Sequence, residues 1–296
     1  MKPAWFDYYA PRELEQALHI LGDAGPDGRV LAGGQSLIPM LNLRILSPAV
    51  VVDINRIEEL NRLHAGTDSL TVGALVRHAD LLRSPDVREG WPLLWEATTQ
   101  VAHMAIRNRG TVCGSVSHND PSAEHPSVLV TMAGTVIVAG SAGRRELPAE
   151  AFFTGTLSNA LEPGEMVVEL RYPRQPAGTG TAFVEFARRR GDFAIAGAAA
   201  MLTMRDGLCE RALLTVVGMG EGPFRVHAVE EMLTAQALDA KTAQDAFAEV
   251  VAKVVAAVDP GDDVHASPSY RRHLAGVMAA QALTSAFSRA GGQHVG

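Results

Sequence analysis

Apolar residues near the N-terminus recur first at helical spacing and then in short runs that are typical of strands. The helical repeat, which predicts an amphipathic helix opened by Pro11, consists of Leu14, Ala17, Leu18 and Leu21. Residues 29–32 predict a strand, a helix follows through Leu41 and Leu43, and residues 49–54 are typical of a strand buried on both faces. Strand, loop, helix and strand in this order indicate a mononucleotide-like half.

The pattern changes after residue 69. Strands are predicted at 70–74, 134–139 and 165–170, and a helix over 92–106 carries apolar residues on one face. Residues 173–180, rich in proline and glycine, indicate a domain boundary. Beyond it the sequence predicts strands at 181–187, 194–204 and 209–217, with Arg205-Asp206-Gly207 as a hairpin turn, and helices near 223–238, 239–258 and 268–290.

Two glycine-bearing loops, about eighty residues apart, carry the clearest functional signal. The first is Ala32-Gly33-Gly34-Gln35-Ser36-Leu37 and the second is Gly110-Thr111-Val112-Cys113-Gly114-Ser115. Glycine lets backbone approach a pyrophosphate closely, and consecutive free amides bind an anion. Ser36 is a predicted N-cap, so the helix after the first loop directs its N-terminus at that loop. The two loops together favour a bound dinucleotide over two tight turns that serve packing alone.

Length and charge narrow the class of protein. The chain has 296 residues, is 47% hydrophobic and 20% charged, and so predicts an ordinary globular protein of about two domains. A formal charge of −7 argues against nucleic-acid binding, which depends on Lys and Arg. No signal peptide and no apolar run of membrane-span length is evident, which predicts a cytoplasmic protein. Two cysteines indicate a reducing compartment and cannot hold an iron–sulfur cluster.

Other motifs leave alternatives open. His118 and His125 flank acidic residues, but the proline-broken segment does not give the regular spacing of a metal site, and none is predicted. Glu124 is more naturally an acceptor for ribose or ribityl hydroxyls. The arginines at 188–190 form either a solvated face or a contact for a cofactor or partner, and Phe193 is suited to cover a flavin ring. Gly218-Met219-Gly220-Glu221-Gly222-Pro223 is more simply a turn than a Rossmann fingerprint.

At these residues the chain resembles a known family, the FAD-binding medium subunits of molybdenum hydroxylases, which include carbon monoxide, nicotine, nicotinate, caffeine and xanthine dehydrogenases. The resemblance covers essentially the whole chain and depends on residues 31–39, 109–115, 120–124 and 190–194. It implies an α+β fold. A two-lobed FAD-binding domain of the vanillyl-alcohol-oxidase (PCMH) type would span 1–175, with lobes of about 1–60 and 61–175. A three-stranded antiparallel sheet with three helices would span 181–290.

The resemblance also implies which residues bind FAD. The first loop would wrap the diphosphate, the second would lie against diphosphate and flavin, and other residues would contact the remaining parts of the cofactor. The implied set is Leu31, Ala32, Gly33, Gly34, Gln35, Ser36, Leu37, Ala102, Thr111, Val112, Cys113, Gly114, Ser115, Glu124, Val167 and Phe193. None of them is implied to be catalytic, since the protein's part is to place and tune the cofactor.

In such a complex a large subunit carries the molybdenum cofactor, a small subunit carries 2Fe–2S clusters, and FAD passes the electrons to an external acceptor. The implied assembly is a dimer of heterotrimers. Two departures stand out. Cys113 replaces a glycine common in the family, which would bring a thiol near the cofactor, and Gln35 stands where several relatives have histidine, so non-covalent FAD is expected. The rival hypotheses are a free-standing FAD-dependent reductase on the same flavin fold and a scaffold subunit that has lost FAD.

Overall fold

The computed structural model describes residues 1–291, and its secondary structure is α+β. The helices are α1 Leu14–Ala24, α2 Leu37–Asn42, α3 His78–Arg83, α4 Pro85–Gly90, α5 Pro92–Gln100, α6 Met104–Arg107, α7 Val112–His118, α8 Glu124–Thr131, α9 Ala149–Phe152, α10 His227–Leu233, α11 Ala240–Ala257 and α12 Pro268–Arg289. The strands are β1 Asp7–Tyr9, β2 Gly28–Leu31, β3 Val50–Asp53, β4 Leu63–Ala65, β5 Ser69–Gly73, β6 Thr135–Gly140, β7 Gly143–Pro148, β8 Phe153–Gly155, β9 Ser158–Asn159, β10 Met166–Pro173, β11 Thr179–Phe186, β12 Ala196–Arg205, β13 Leu208–Val217 and β14 Phe224–Arg225.

The N-terminal segment forms a small parallel sheet in the order β1-β3-β2. Val51 and Val52 of the central strand are almost fully buried, as the apolar run predicts. Helix α1 buries Leu14, Ala17 and Leu21, the stripe expected from its period, although it begins three residues after Pro11. The chain leaves β2, passes through the first glycine loop into α2 and returns as β3. The predicted strand–loop–helix–strand order is therefore confirmed.

A five-stranded antiparallel sheet follows, in the order β4-β5-β10-β6-β7. The central strand β10 pairs with β5 and β6, which places Leu170 opposite both Val72 and Val136. Helix α7 packs on this sheet, and helices α5 and α8, which pack on each other, contribute to the same continuous core, which buries Leu94, Val116 and their neighbours. That core holds the second glycine loop against the sheet.

The C-terminal sheet has the order β11-β12-β13-β14, so the three predicted strands are joined by a fourth of two residues. Both faces are buried, and they alternate along β12. Ala199 and Met201 pack in the core shared with α5 and α8, whereas Ala198, Ala200 and Leu202 pack in the core beneath α11 and α12. Asp206 and Gly207 both have positive φ, +50° and +79°, which is the two-residue hairpin predicted from the sequence.

Two predicted helices are shorter than the sequence pattern suggested. The helix expected over 92–106 is interrupted at Val101–His103, where Ala102 has φ +38°, and continues as the short α6. The helix expected near 223–238 contains only α10, because residues 224–225 pair with β13 instead. Glu96 of α5 accepts hydrogen bonds from Arg289 of α12 and from the Phe183 amide, and so joins the two parts of the chain. Among residues 1–291 no helix has the length and apolarity to span a bilayer.

Candidate functional site

The two glycine loops lie in direct contact although they are far apart in sequence. A Cβ built on Gly33 would lie 2.4 Å from the Arg109 carbonyl oxygen and 2.7 Å from the Gly110 Cα. Both of these atoms are backbone, so only glycine allows the two chain segments to approach this closely. Gly110 in turn packs on the His78 ring, which would lie 2.8 Å from an added Cβ. The loops therefore form one continuous backbone surface.

Free backbone donors line the first loop. Within the described part of the chain, the amides of Gly34, Gln35, Ser36 and Leu37 donate no hydrogen bond. Gly34 has φ +74°, which turns the chain so that successive amides follow one another around the bend. The Ser36 side chain makes no capping hydrogen bond, and α2 has six residues, so the free amides matter more here than a helix dipole. Among residues 1–291 the Gln35 side chain bonds only locally, to the Gly33 carbonyl at 3.2 Å.

The second loop forms the start of α7 rather than an open turn. The Thr111 hydroxyl caps this helix by accepting a hydrogen bond from the Gly114 amide at 3.1 Å. Thr111 and Val112 are buried, whereas Gly114 is exposed and Ser115 is half-buried. An added Cβ on Gly114 would lie 2.6 Å from the Thr111 hydroxyl. The side of the loop that a ligand can reach is therefore formed by Gly114 and Ser115.

The Cys113 thiol points into the core and not toward the exposed side of the loop. It is 2% exposed, lies 3.5 Å from the Val72 carbonyl oxygen, and burial strongly raises its pKa. The residue adopts helical backbone, so replacing the family's glycine here requires no left-handed conformation. The thiol therefore does not face the exposed side of the loop, because α7 turns this side chain toward the sheet. Cysteine fills core volume at this position.

Two further segments meet beside the loops. Gly191, at φ +87°, would place a Cβ 2.8 Å from His103 Nδ1 and 2.9 Å from the Ala102 carbonyl oxygen. Ala102 lies in the break between α5 and α6, and its carbonyl accepts a hydrogen bond from Arg107 at 2.7 Å. Phe193, two residues after Gly191, is 71% exposed. A ring this exposed on an ordered turn offers an apolar surface to a planar ligand.

Two carboxyl groups lie close to each other near this point. Burial raises the pKa of Glu124, the first residue of α8, to about 8, and the nearby charge of Glu185 adds to the effect. The Glu124 carboxyl meets its own backbone amide but no side-chain donor among residues 1–291. Burial also raises the pKa of Glu185 to about 7, and its Oε2 atom has no partner in the described part of the chain. Both groups have acceptor capacity left for a ligand.

His78 and His125, which are far apart in sequence, form a pair behind the second loop that no sequence motif predicts. The rings of His78 and His125 are stacked and buried, with Nδ1 of His78 3.0 Å from Nε2 of His125. Burial lowers the pKa of His78 to about 4, and it lowers the pKa of His125 well below the ordinary value. His118 ends α7 apart from this pair, and residues 1–291 contain no group of three or more potential metal ligands. The pair acts as a neutral packing element under Gly110.

Other predicted residues lie at the end of a strand, within a strand or on the exposed surface. Leu31 ends β2 and Ala32 opens the first loop. Val167 is buried in the central strand β10, so its side chain contributes to the core. Arg188 donates to the His265 carbonyl, and Arg188, Arg189 and Arg190 are all exposed. Residues 218–223 form an irregular bend after β13 that leads into the short strand β14, whereas the sequence predicted a turn into a helix that begins at Pro223.

Two families of known proteins match consecutive parts of the chain. The family described as FAD binding domain in molybdopterin dehydrogenase matches residues 4–175. The CO dehydrogenase flavoprotein C-terminal domain matches residues 181–286.

Relatives match over almost the full length. The alpha subunit of the 6-hydroxypseudooxynicotine dehydrogenase complex of Paenarthrobacter nicotinovorans is 38% identical, over 98% of this chain and 97% of the relative. The carbon monoxide dehydrogenase medium chain of Hydrogenophaga pseudoflava is 34% identical, over 98% and 99%. Among solved structures, carbon monoxide dehydrogenase from the same organism superposes with a TM-score of 0.92 at 35% identity, covering 98% of this chain and 99% of the other. Quinoline 2-oxidoreductase from Pseudomonas putida 86 superposes with a TM-score of 0.90 at 35% identity, again covering 98% and 99%.

These superpositions confirm the predicted fold class, an FAD-binding domain followed by a C-terminal sheet and helices. Matches of both families in this order, with relatives aligned from end to end, leave one assignment: the chain belongs to the FAD-binding subunits of the molybdopterin dehydrogenase family, with the flavoprotein C-terminal domain of carbon monoxide dehydrogenases.

Proposed function

We propose that this chain is the FAD-carrying electron-transfer subunit of a heterotrimeric molybdenum hydroxylase. It would accept electrons from a 2Fe–2S subunit and deliver them to an external acceptor. The observation that carries the proposal is the contact of Gly33 with the Arg109–Gly110 peptide, which joins the free amides of the first loop and the second glycine loop into one surface. Relatives that are named as subunits or medium chains of dehydrogenases, and that align over nearly the whole chain, support the same role.

The residues fit FAD by their chemistry. The free amides at 34–37 suit a diphosphate, and Gly114 and Ser115 form the side of the second loop that a ligand can reach. The Glu124 carboxyl, which has no side-chain donor, would accept hydrogen bonds from cofactor hydroxyls. Phe193 would cover the flavin ring, with the Ala102 segment beside it. Leu31, Val112, Cys113 and Val167 belong to the proposed set through backbone or packing rather than through exposed side chains.

When bound, FAD supplies the redox centre, and the chain's residues place it, shield it and set its surroundings. Gln35 has no imidazole to form a covalent link, so the cofactor would be held non-covalently. The chain has two cysteines, both free and buried, whereas 2Fe–2S clusters need several thiolates. The clusters would therefore lie on a small partner subunit and the molybdenum cofactor on a large one, in a dimer of heterotrimers. Free thiols suit the reducing cytoplasm, where we place the complex.

We also propose that the chain consists of two functional domains. The FAD-binding domain would span 1–175, with lobes of about 1–60 and 61–175, and the C-terminal domain would span 181–290. The irregular residues 174–178 between β10 and β11 support this division.

The test is to purify the chain alone and together with the products of neighbouring genes, and to measure flavin, iron and molybdenum per chain. We expect about one FAD per chain in both preparations, and iron and molybdenum only in the second. Rapid mixing of the reduced complex with an acceptor should then reoxidise the flavin. If the chain contains flavin but never co-purifies with partner subunits, the free-standing reductase is favoured. Colourless protein in both preparations would favour the scaffold and refute the proposal.

A further inference from the structure

Two side chains outside the glycine loops connect one loop to the other. Asn55 follows β3 of the parallel sheet, and Arg77 precedes α3, beside the five-stranded sheet. The Arg77 guanidinium donates from Nη1 to the Arg109 carbonyl oxygen at 2.5 Å and from Nη2 to Asn55 Oδ1 at 2.5 Å. One guanidinium therefore holds the second loop at its entry and also reaches across to the other sheet.

Asn55 continues the connection to the first loop. Its Nδ2 donates to the Ala32 carbonyl oxygen at 2.8 Å, so the same amide group accepts from Arg77 and donates to Ala32. Asp53 fixes the orientation of Asn55 by accepting from its backbone amide at 2.9 Å and from Nδ2 at 2.5 Å. Burial raises the pKa of Asp53, but hydrogen bonds from Tyr8 and Asn55 outweigh it and leave the pKa below its usual range. The carboxylate thus stays ionised as an anchor.

These bonds close a ring. Ala32 is followed by Gly33, whose backbone lies against the Arg109 carbonyl oxygen, and that same oxygen accepts the hydrogen bond from Arg77. We propose that Asn55 and Arg77 form a clamp, a pair of positioning residues that sets the spacing of the two glycine loops and thereby the affinity for FAD. The inference rests on the proposed function, since it assumes that both loops bind one cofactor.

The residue types suit this task. Arginine presents donors in a rigid fork and can bridge two acceptors at a fixed angle, whereas lysine is a point charge on a flexible stem. Burial, and then the neighbouring Arg109 charge, lower the pKa of Arg77, but the guanidinium remains charged at any ordinary pH. The backbone beside Arg77 is held separately, because the His78 amide donates to the Gly110 carbonyl at 3.1 Å. A substitution at Arg77 therefore removes the side-chain link and leaves the backbone pairing in place.

The experiment measures the FAD dissociation constant of the full-length apoprotein by flavin fluorescence quenching, together with its thermal unfolding. The variants are Arg77→Met, Asn55→Ala and the double variant. Arg83→Met is the matched control, since Arg83 is an exposed arginine at the end of α3, the helix that Arg77 precedes. Loss of a hydrogen bond to a charged group corresponds to about a 10- to 100-fold change in affinity. We expect each single variant to weaken FAD binding about tenfold or more and the control to leave it unchanged.

The double variant tests the connection itself. If the two residues act in series, breaking either link severs the clamp, and the double variant binds FAD no more weakly than the poorer single variant. If the losses of FAD affinity in the two single variants multiply in the double variant, the clamp is refuted. It is also refuted if Arg77→Met or Asn55→Ala lowers the unfolding temperature but leaves the FAD affinity at the wild-type value. Should Arg77→Met not fold, Arg77→Lys is the substitute, with an expected intermediate affinity; wild-type affinity in a folded Arg77→Lys would count against the clamp. Wild-type protein that does not bind FAD refutes the proposed function, and this inference with it.

Discussion

The closest approach of the two glycine loops can be tested by adding a single methyl group. In Gly33→Ala the new Cβ would lie 2.4 Å from the Arg109 carbonyl oxygen and 2.7 Å from the Gly110 Cα. Ordinary contact of this kind begins near 3.4 Å. The loops must therefore separate by about 1 Å, the difference between 3.4 and 2.4 Å. Neither obstructing atom is the end of a flexible side chain, so no rotamer change can relieve the contact.

The size of the effect follows from this shift. Overpacking of a tight contact costs about 1–3 kcal/mol of folding free energy. A displacement of about 1 Å also separates groups that must bind one ligand together, which can cost about 100-fold in the function that depends on them. We therefore expect Gly33→Ala to fold with reduced stability and to bind FAD about 10- to 100-fold more weakly than the wild type.

The assay compares FAD titration and urea unfolding of apoprotein for the wild type, Gly33→Ala and Gly22→Ala. Gly22 lies within α1 and an added Cβ there meets no atom within 4 Å, so this control gains helix propensity without a new contact. The control should unfold at higher urea concentration and bind FAD normally. Wild-type FAD affinity in Gly33→Ala would show that the loops do not have to converge on one cofactor, and our reasoning about this site would be refuted.

Three further predictions concern buried groups. The pKa of His78 is lowered to about 4, so the unfolded chain takes up the proton first, and stability is lost as pH falls below 6.5. His78 alone accounts for about 2 kcal/mol at pH 5, and His125, whose pKa burial also lowers, adds to this loss. His125→Leu should therefore reduce, but not abolish, the pH dependence of stability measured by urea unfolding at pH 5 and 7.5. Burial raises the pKa of Glu185 to about 7, so the stability of the fold is lost as pH rises from 4.5 through 7. Glu185→Gln should therefore raise the unfolding temperature of the apoprotein at pH 8 but not at pH 4. An equal rise at both pH values would contradict this prediction. Cys113→Ala should lower the free energy of unfolding by about 1 kcal/mol through lost packing and leave FAD affinity unchanged. A weaker affinity in FAD titration would instead indicate that the thiol contributes to the cofactor site.

The hydrophobic pattern of the sequence predicts an element correctly where that element buries a regular face. The stripe on α1, the apolar run of β3 and the turn at Asp206-Gly207 all appear where period and turn chemistry predict them. The same pattern does not predict short or polar elements. Strand β7 lies at a sheet edge, and its sequence, with two arginines and one leucine, carries little apolar signal. Helices α3, α4, α7 and α8 have six to eight residues each, too few to display a clear helical period.

Two features differ from the prediction made from the sequence pattern, because tertiary contacts determine the local structure there. Apolar spacing continues from α5 through α6, yet Ala102 takes φ +38° and its carbonyl accepts from Arg107, so the helix breaks beside Gly191. The glycines near Cys113 predict a loop, but Thr111 caps a helix there and the thiol turns inward. Neither outcome can be derived from neighbours in sequence, since each depends on a segment from another part of the chain.

By itself, the sequence determined the fold class, the two side-chain-poor loops and the family to which they belong, since these depend on residue type and local spacing. Only the tertiary structure decided that Gly33 lies on the Arg109–Gly110 peptide, that Asn55 and Arg77 join the two loops, and that two imidazoles are buried under Gly110. Backbone approach and side-chain hydrogen bonds between residues distant along the chain are set by how the sheets pack. A linear pattern contains no measure of that distance.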